Sequence, residues 1–449
     1  MGYIPHTEDD VKAMLAAIGV DSLDALFEDV PSQHRFPTLN LPEPLSELEI
    51  ATTMETLSWF NLTTSHYATF LGAGAYNHYS PAIVNQLLLR GEFYSAYTPY
   101  QPEVSQGTLQ ATFEFQSMIA HLTGMEAANA SHYDGATALA EAVTMANAIH
   151  NGKRQKVILS PTIHPQYREV VRTYHQNKPF KFSGDRSGTA TLLDITDMVD
   201  ENTMLVAVQY PNFLGQIEDF NELARVTKTH GALLCVVADP VALSILKPPG
   251  EFGADIVVGE GQGLGIPMSF GGPYLGFFAT NSKYVRRIAG RIVGETRDLE
   301  GQRAFVMTLR PREQDIRREK ATSNICTNQG LMALAACIHM AALGKHGMKR
   351  VGELCWHKAH YAADQIDALE GYSVDRSLPF FKEFVVTCPR PVNEINQSLL
   401  DDYGIIGGYD LSLDYPHRGN QMLLCVTETN PRAEIDMLVK ALREIAEAS

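Results

Sequence analysis

Cysteine and tryptophan are scarce in this chain, at six and two of 449 residues. The cysteines (Cys235, Cys326, Cys337, Cys355, Cys388, Cys425) contain no CxxC pair, which excludes a zinc ribbon or a thioredoxin-type redox motif. Cys337 and Cys355 each have a histidine two positions on, His339 and His357, but no further ligand at short spacing. A structural metal centre normally takes four ligands, so no metal is expected. Unpaired thiols of this kind point to a reducing compartment, the cytoplasm. Positive charge is also in deficit: 36 Lys+Arg against 52 Asp+Glu leave a net charge of −16, which argues against nucleic acid or an anionic membrane as partner. The opening residues lack a basic stretch followed by an apolar run, so no signal peptide is expected. The most apolar stretch, 330–344, is too short to span a bilayer and carries His339. Internal repeats and low-complexity linkers are absent.

What remains is a composition of 45% hydrophobic and 20% charged residues, enough apolar material for packed cores. The length suggests two or three domains of roughly 100–200 residues each. Residues 9–18 carry Val11, Met14, Leu15 and Ile18 at helical spacing, and 21–26 begin a second helix. Pro31, Pro37, Pro42 and Pro44 then break the pattern before helical spacing resumes over 45–59, so residues 1–60 read as an arm. The middle alternates. Strands are expected at 157–160, 204–210, 232–238, 254–259 and 274–279, with helices at 166–175 and 220–230. Short β-branched runs separated by helical periods imply parallel strands joined by crossovers. Beyond 325 two apolar helices (328–344 and 351–369), strand candidates at 383–388 and 422–426 and a closing helix at 431–446 suggest a small α+β domain over 326–449. The expectation is a two-lobed α/β chain, with 61–325 as the large domain. Ligands in such sheets sit at the carboxyl ends of strands, where Asp239 falls.

Four features are candidates for chemistry. Six of the 18 tyrosines (Tyr67, Tyr76, Tyr79, Tyr94, Tyr97, Tyr100) fall between 67 and 100, where even spacing would place about one. They suit an interface, or hydrogen bonds to phosphate or carboxylate. The segment Ser131-His132-Tyr133-Asp134-Gly135-Ala136-Thr137 leads into a helix and resembles an anion-binding helix start, although an ordinary start looks the same. The run Gly259-Glu260-Gly261-Gln262-Gly263-Leu264-Gly265-Ile266-Pro267 is neither a P-loop nor a dinucleotide fingerprint. Finally, 283–320 holds eleven Lys/Arg against six Asp/Glu, a local excess of +5 in an acidic chain. That excess fits either a solvated face or an interface for small anions.

Four strings are more specific: Tyr3-Ile4-Pro5-His6-Thr7, Phe70-Leu71-Gly72-Ala73-Gly74, Ala96-Tyr97-Thr98-Pro99-Tyr100-Gln101-Pro102-Glu103, and Arg317-Arg318-Glu319-Lys320-Ala321-Thr322-Ser323-Asn324-Ile325-Cys326-Thr327. Together they resemble the glycine cleavage system P-protein, glycine dehydrogenase (decarboxylating). The likeness runs over nearly the whole chain, and its length fits the N-terminal half, the subunit 1 of the split bacterial form. The resemblance implies the fold of fold-type I pyridoxal phosphate (PLP) enzymes. It also implies an Asp at a strand end for the pyridine nitrogen, a His stacked on the ring, a helix N-terminus for the phosphate and a Schiff-base lysine. Asp239 and His164 match the first two, and Ser131, His132 and Gly135 lie in the phosphate-loop position.

The lysine is missing. By the family's pattern it should stand four residues before Ile266, and that residue is Gln262, whose amide nitrogen cannot form an imine. No lysine lies between Lys247 and Lys283. The resemblance therefore implies a pseudo-active chain whose cofactor is held by a catalytic partner, subunit 2, in an α2β2 assembly. The pair would decarboxylate glycine and pass the aminomethyl group to the lipoyl arm of H-protein. Tyr94, Tyr97, Tyr100, Thr322, Ser323 and Asn324 are the residues expected to reach the partner's site. A purely structural scaffold, or an independent PLP enzyme using another lysine, remain the alternatives.

Overall fold

The structure, a computed structural model, describes residues 5–186 and 188–447. Tyr3 and Ile4 of the opening string lie outside the described residues. The chain divides into two units, Met1–Leu62 and Thr63–Ser449. In the first, the helices Glu8–Ile18 and Glu47–Ser58 each start on a reciprocal cap, Thr7 with Asp10 and Ser46 with Glu49. Neither helix buries a residue within the chain, and Leu48, Ile50, Met54 and Leu57 are exposed. The helix expected from residue 21 is only a single 3-10 turn, Asp24–Phe27. Only the ten residues 21–30 lie between the expected start and Pro31, too few to make a longer helix stable without packing against a core.

The second unit is built on a seven-stranded sheet. Its order from one edge is Ala127–Ala128, Gly276–Thr280, Ile256–Glu260, Leu233–Ala238, Thr203–Tyr210, Lys156–Leu159 and Lys181–Ser183. The last five are mutually parallel. Leu233–Ala238 and most of Thr203–Tyr210 are buried, as two-sided helix cover requires. Gly276–Thr280, expected among the parallel strands, runs antiparallel to both neighbours. No helix intervenes after Ile256–Glu260, so the chain has no crossover with which to return in parallel.

The two apolar helices beyond 325 form Gly330–Asp367, broken at Gly344, whose φ of +59° and ψ of −177° leave the helical region. By length and composition this element is apolar enough to cross a membrane, yet the break leaves its apolar first half too short to do so. That first half joins the large-sheet core through Ala333, Ala336, Cys337 and Met340. The second half packs Ala359, Ala362 and Ile366 into the core of a four-stranded antiparallel sheet. This sheet runs Ser373–Val374, Glu383–Thr387, Gln421–Cys425 and Tyr409–Asp410. Ala68–Thr69 pairs in parallel with Ile405–Ile406, so the chain after residue 63 enters beside the small sheet before crossing to the large one. That crossing carries residues 71–79 over the carboxyl ends of the large-sheet strands.

Candidate functional site

A cleft at those strand ends is lined by Gly74, Tyr76, His164, Tyr167, Gln209, Asp239, Glu260 and Gln262. Asp239 follows Leu233–Ala238, and its Oδ1 accepts the N–H groups of Val241 (2.8 Å) and Ala242 (3.3 Å). Its Oδ2 faces the Nζ of Lys382 at 2.7 Å. Lys382 enters from the small sheet, just ahead of Glu383–Thr387, and is 2% exposed. Its ammonium stands 3.5 Å from the centroid of the Tyr76 ring and 3.0 Å from His78 Nε2. Burial disfavours charge on both partners, but their mutual attraction prevails. Asp239 stays below the usual carboxylate range and Lys382 above the usual amine range.

His78 Nδ1 donates to Glu428 at 2.7 Å while its Nε2 accepts from Lys382. Burial alone would raise the Glu428 carboxyl; the His78 hydrogen bond outweighs it and holds the group down at about 2. His78, Cys355 and Glu428 offer ligand atoms within 4.8 Å of one another. Those atoms already bond to each other, since the Cys355 thiol also donates to Glu428 (3.4 Å) and burial pushes that thiol well above its ordinary range.

His164 is fixed on three sides. Its N–H donates to Gln209 Oε1 (2.8 Å), its Nε2–H to the Ala73 carbonyl (2.8 Å), and its Nδ1 accepts from Gln166 N. The ring stacks on Tyr167 with centroids 4.9 Å apart. Gly74 adopts φ +108°, and a Cβ there would lie 2.7 Å from His164 Nε2, so only glycine lets the 71–76 loop come this close. Gln262, 1% exposed, ties the same loop down. Its Oε1 accepts from Tyr76 N (2.9 Å), and its Nε2 donates to Tyr76 O (2.9 Å) and Ile266 O (2.7 Å). Glu383 completes the tie, accepting from Ala73 N (2.7 Å) and Tyr76 OH (2.8 Å), and burial pushes its carboxyl up to about 7.

The helix Gly135–Ile149 points its N-terminus at this cleft. Asp134 caps it through Thr137 N (2.7 Å), while the Gly135 N–H donates to Glu260 Oε2 (3.1 Å). The other Glu260 oxygen accepts from Leu275 N (2.8 Å) and Gln262 N (3.1 Å), and burial pushes this carboxyl to about 7. The glycine-rich run is thus the turn that delivers Glu260 and Gln262. Of the expected pocket residues, Gly135, His164 and Asp239 come together around Gln262. Ser131 and His132 do not. Ser131 Oγ accepts from Asn328 Nδ2 (2.8 Å) and Gln329 N (3.0 Å), and His132 is fully buried near Phe278, its basicity lowered by that burial to about 3.

A second group flanks the buried Arg291. Tyr97 and Thr98 line one cleft with Arg291 and Asn328, whereas Thr322 and Ser323 line another with Arg291 and Arg312. Tyr94 and Tyr97 are exposed, at 63% and 84%. The Tyr100 hydroxyl accepts from Arg291 Nη2 (2.8 Å), and the Arg310 guanidinium lies 5.1 Å from its ring centroid. Ser323 Oγ donates to the buried Glu141 (2.7 Å), and Asn324 faces solvent. Part of the basic stretch is used internally: Arg291 Nε lies 3.7 Å from Glu313, and Arg312 donates to the carbonyls of Ile288 and Gly290.

Sequence reasoning missed Lys382, Glu260, Glu383 and Arg291. For the first and third a signal was present: Lys382 and Glu383 interrupt the apolar string Phe380-Phe381-Lys382-Glu383-Phe384-Val385-Val386 on what became a buried strand. Two adjacent charges can enter such a strand only if each finds a partner.

The family profile described as glycine cleavage system P-protein matches residues 1–442. A protein of Thermomicrobium roseum, named probable glycine dehydrogenase (decarboxylating) subunit 1, is 53% identical over 99% of both chains. A crystal structure of glycine decarboxylase (P-protein) of the glycine cleavage system, in inhibitor-bound form, superimposes with a TM-score of 0.91 at 43% identity, over 99% of this chain and 100% of that one. A sphingosine-1-phosphate lyase from Burkholderia pseudomallei, 13% identical, shares the fold alone at a TM-score of 0.66 over 93% of this chain and 95% of its own. The architecture is that of the fold-type I, PLP-transferase-like enzymes, and the chain belongs to the glycine cleavage system P-protein family.

Proposed function

We propose that this chain is the subunit of a two-chain glycine dehydrogenase (decarboxylating) that does not anchor the cofactor. The family depends on PLP, and the observation that carries this reading is Gln262. An amide nitrogen has no nucleophilic lone pair, and both ends of this amide are already bonded to Tyr76 and Ile266. The side chains around it do not suit the cofactor either. An ammonium sits on Asp239, where a pyridinium would bind, and a carboxylate sits on the Gly135 N–H, where a phosphate would bind. Lys382 is no substitute for the lost lysine, because its ammonium is already held by Asp239 at 2.7 Å and would occupy the place a pyridinium would take.

In this reading the cofactor resides on the partner, subunit 2, in an α2β2 assembly, and supplies the electron sink for loss of CO2 from glycine. This chain completes the partner's site. Tyr94 and Tyr97 present exposed hydroxyl-bearing rings, Tyr100 is oriented by Arg291, Thr322 and Ser323 line a cleft with the same arginine, and Asn324 beside them faces solvent. Hydroxyl and amide donors of this kind suit a phosphate or a substrate carboxylate, with Ser323, whose hydroxyl donates to Glu141, orienting the turn. The arm, residues 1–60, whose helix Glu47–Ser58 buries no residue and leaves Leu48, Ile50, Met54 and Leu57 exposed, belongs in the subunit interface. The aminomethyl group then passes to the lipoyl arm of H-protein, in the cytoplasm. Assaying glycine decarboxylation by the partner with and without this chain tests the reading. Activity that needs both chains is expected; full activity of either chain alone would overturn it.

A further inference from the structure

We propose that the former cofactor pocket is a self-filled lock: Lys382 stands in for the pyridinium at Asp239, and Glu260 stands in for the phosphate at the N-terminus of the Gly135–Ile149 helix. The inference rests on the reading of this chain as the subunit without an anchored cofactor, and it adds why the pocket stays closed. A strand-end aspartate selects a buried cation, and a lysine from the other sheet delivers one at 2.7 Å. An aromatic ring lies next to that cation, as Tyr76 with its centroid 3.5 Å away. A helix N-terminus selects an anion, and Glu260 supplies it to the Gly135 N–H at 3.1 Å. The helix N-terminus is closely covered as well: a Cβ on Gly135 would lie 2.5 Å from Tyr167 OH. Both polar ends of the missing ligand are thus bonded from within the chain.

The stand-ins come from different sheets, so the lock also fixes their relative position. Lys382 and Glu383 belong to the small sheet, Asp239, Glu260 and Gln262 to the large one. The 71–78 loop is bonded to both, Tyr76 through its backbone to Gln262 and through its hydroxyl to Glu383. A chain that must hold donors steady for a neighbouring site gains from having no hinge at its own. Restoring a lysine at 262 is therefore insufficient to recover a cofactor.

The test uses the two-chain complex carrying wild-type chain, Gln262→Lys, or Gln262→Lys combined with Lys382→Met and Glu260→Ala. Each is incubated with PLP, reduced with borohydride and mapped by peptide mass. Wild type and Gln262→Lys should carry less than about a tenth of a label on this chain, and the triple variant at least a fivefold greater adduct at 262. Full labelling of Gln262→Lys alone, an adduct on Lys382 in Gln262→Lys but not in wild type, or a folded triple variant no better labelled than Gln262→Lys overturns the lock. Because the triple variant risks misfolding, acylation rates of the native wild-type lysines give a second reading. Lys382, its side chain 2% exposed, should react at least a hundredfold more slowly than Lys440, at 71%; equal rates overturn the lock. A stoichiometric label at any lysine of the wild-type chain instead sinks the non-anchoring assignment itself, so the two failures are distinguishable.

Discussion

Replacing Lys382 by methionine keeps most of the side-chain volume and removes only the ammonium. Asp239 would then be left in its cleft with two backbone N–H groups, from Val241 and Ala242, as its remaining donors. Breaking one side of a buried ion pair typically costs about 3–5 kcal/mol. The two surviving donors place this case near the lower end, and the lost contact with the Tyr76 ring adds roughly 1–2 kcal/mol. The expected loss for Lys382→Met is therefore about 4 kcal/mol, roughly a thousandfold in the folding constant. Asp239→Asn should cost a similar amount by stranding the ammonium. The double variant Lys382→Met/Asp239→Asn removes both charges and should lose much less than the sum, with a coupling of at least about 2 kcal/mol. Urea denaturation of the full chain, with and without its partner, measures all three. Additive losses, or a Lys382→Met variant within about 0.5 kcal/mol of wild type, would refute the picture of a charged, mutually dependent pair.

Gln262→Ala leaves Tyr76 N, Tyr76 O and Ile266 O without their partner, and should destabilise the chain by roughly 2–4 kcal/mol. Hydrogen exchange should speed up most at Tyr76, and an unchanged Tyr76 amide would contradict the tie. Tyr97→Phe, in an exposed ring, should leave assembly intact while lowering decarboxylation or cofactor retention about tenfold; full activity would reduce Tyr97 to packing. Stability should also depend on pH with a definite sign. Glu260 and Glu383 are raised to about 7, so the folded chain keeps protons that the unfolded chain releases from about pH 4.5 upward, and stability falls between there and pH 7 by about 3 kcal/mol per carboxyl. Asp239 and Glu428 are lowered and act in the opposite sense, their contribution present above about pH 4 and lost as acid protonates them. A urea midpoint that is higher at pH 8 than at pH 5.5 would contradict the two raised carboxyls.

The large sheet was legible because its strands are apolar on both faces: 204–210 and 232–238 differ by one residue from the strands observed. Strand direction was less so. Gly276–Thr280 has the composition of its parallel neighbours, and only the missing crossover helix reveals that it runs the other way. Asp239, His164 and Gln262 could be placed by motif because each sits at a fixed step from a strand end or a Gly-rich turn. Lys382 could not, since nothing in local sequence says that a residue 143 positions after Asp239 will meet it. The same limit applies to Ser131 and His132. They precede the right helix, but the turn at Asp134 sends them away from the cleft and presents the Gly135 N–H instead.

The central claim is that the cofactor belongs to the partner because position 262 carries an amide. The most direct test is borohydride reduction of the assembled wild-type complex loaded with PLP in the absence of glycine, followed by peptide mapping of both chains for a reduced pyridoxyl adduct. The account predicts one adduct per pair of chains, on a lysine of the partner, with none on this chain. A stoichiometric adduct on any lysine of this chain would contradict it.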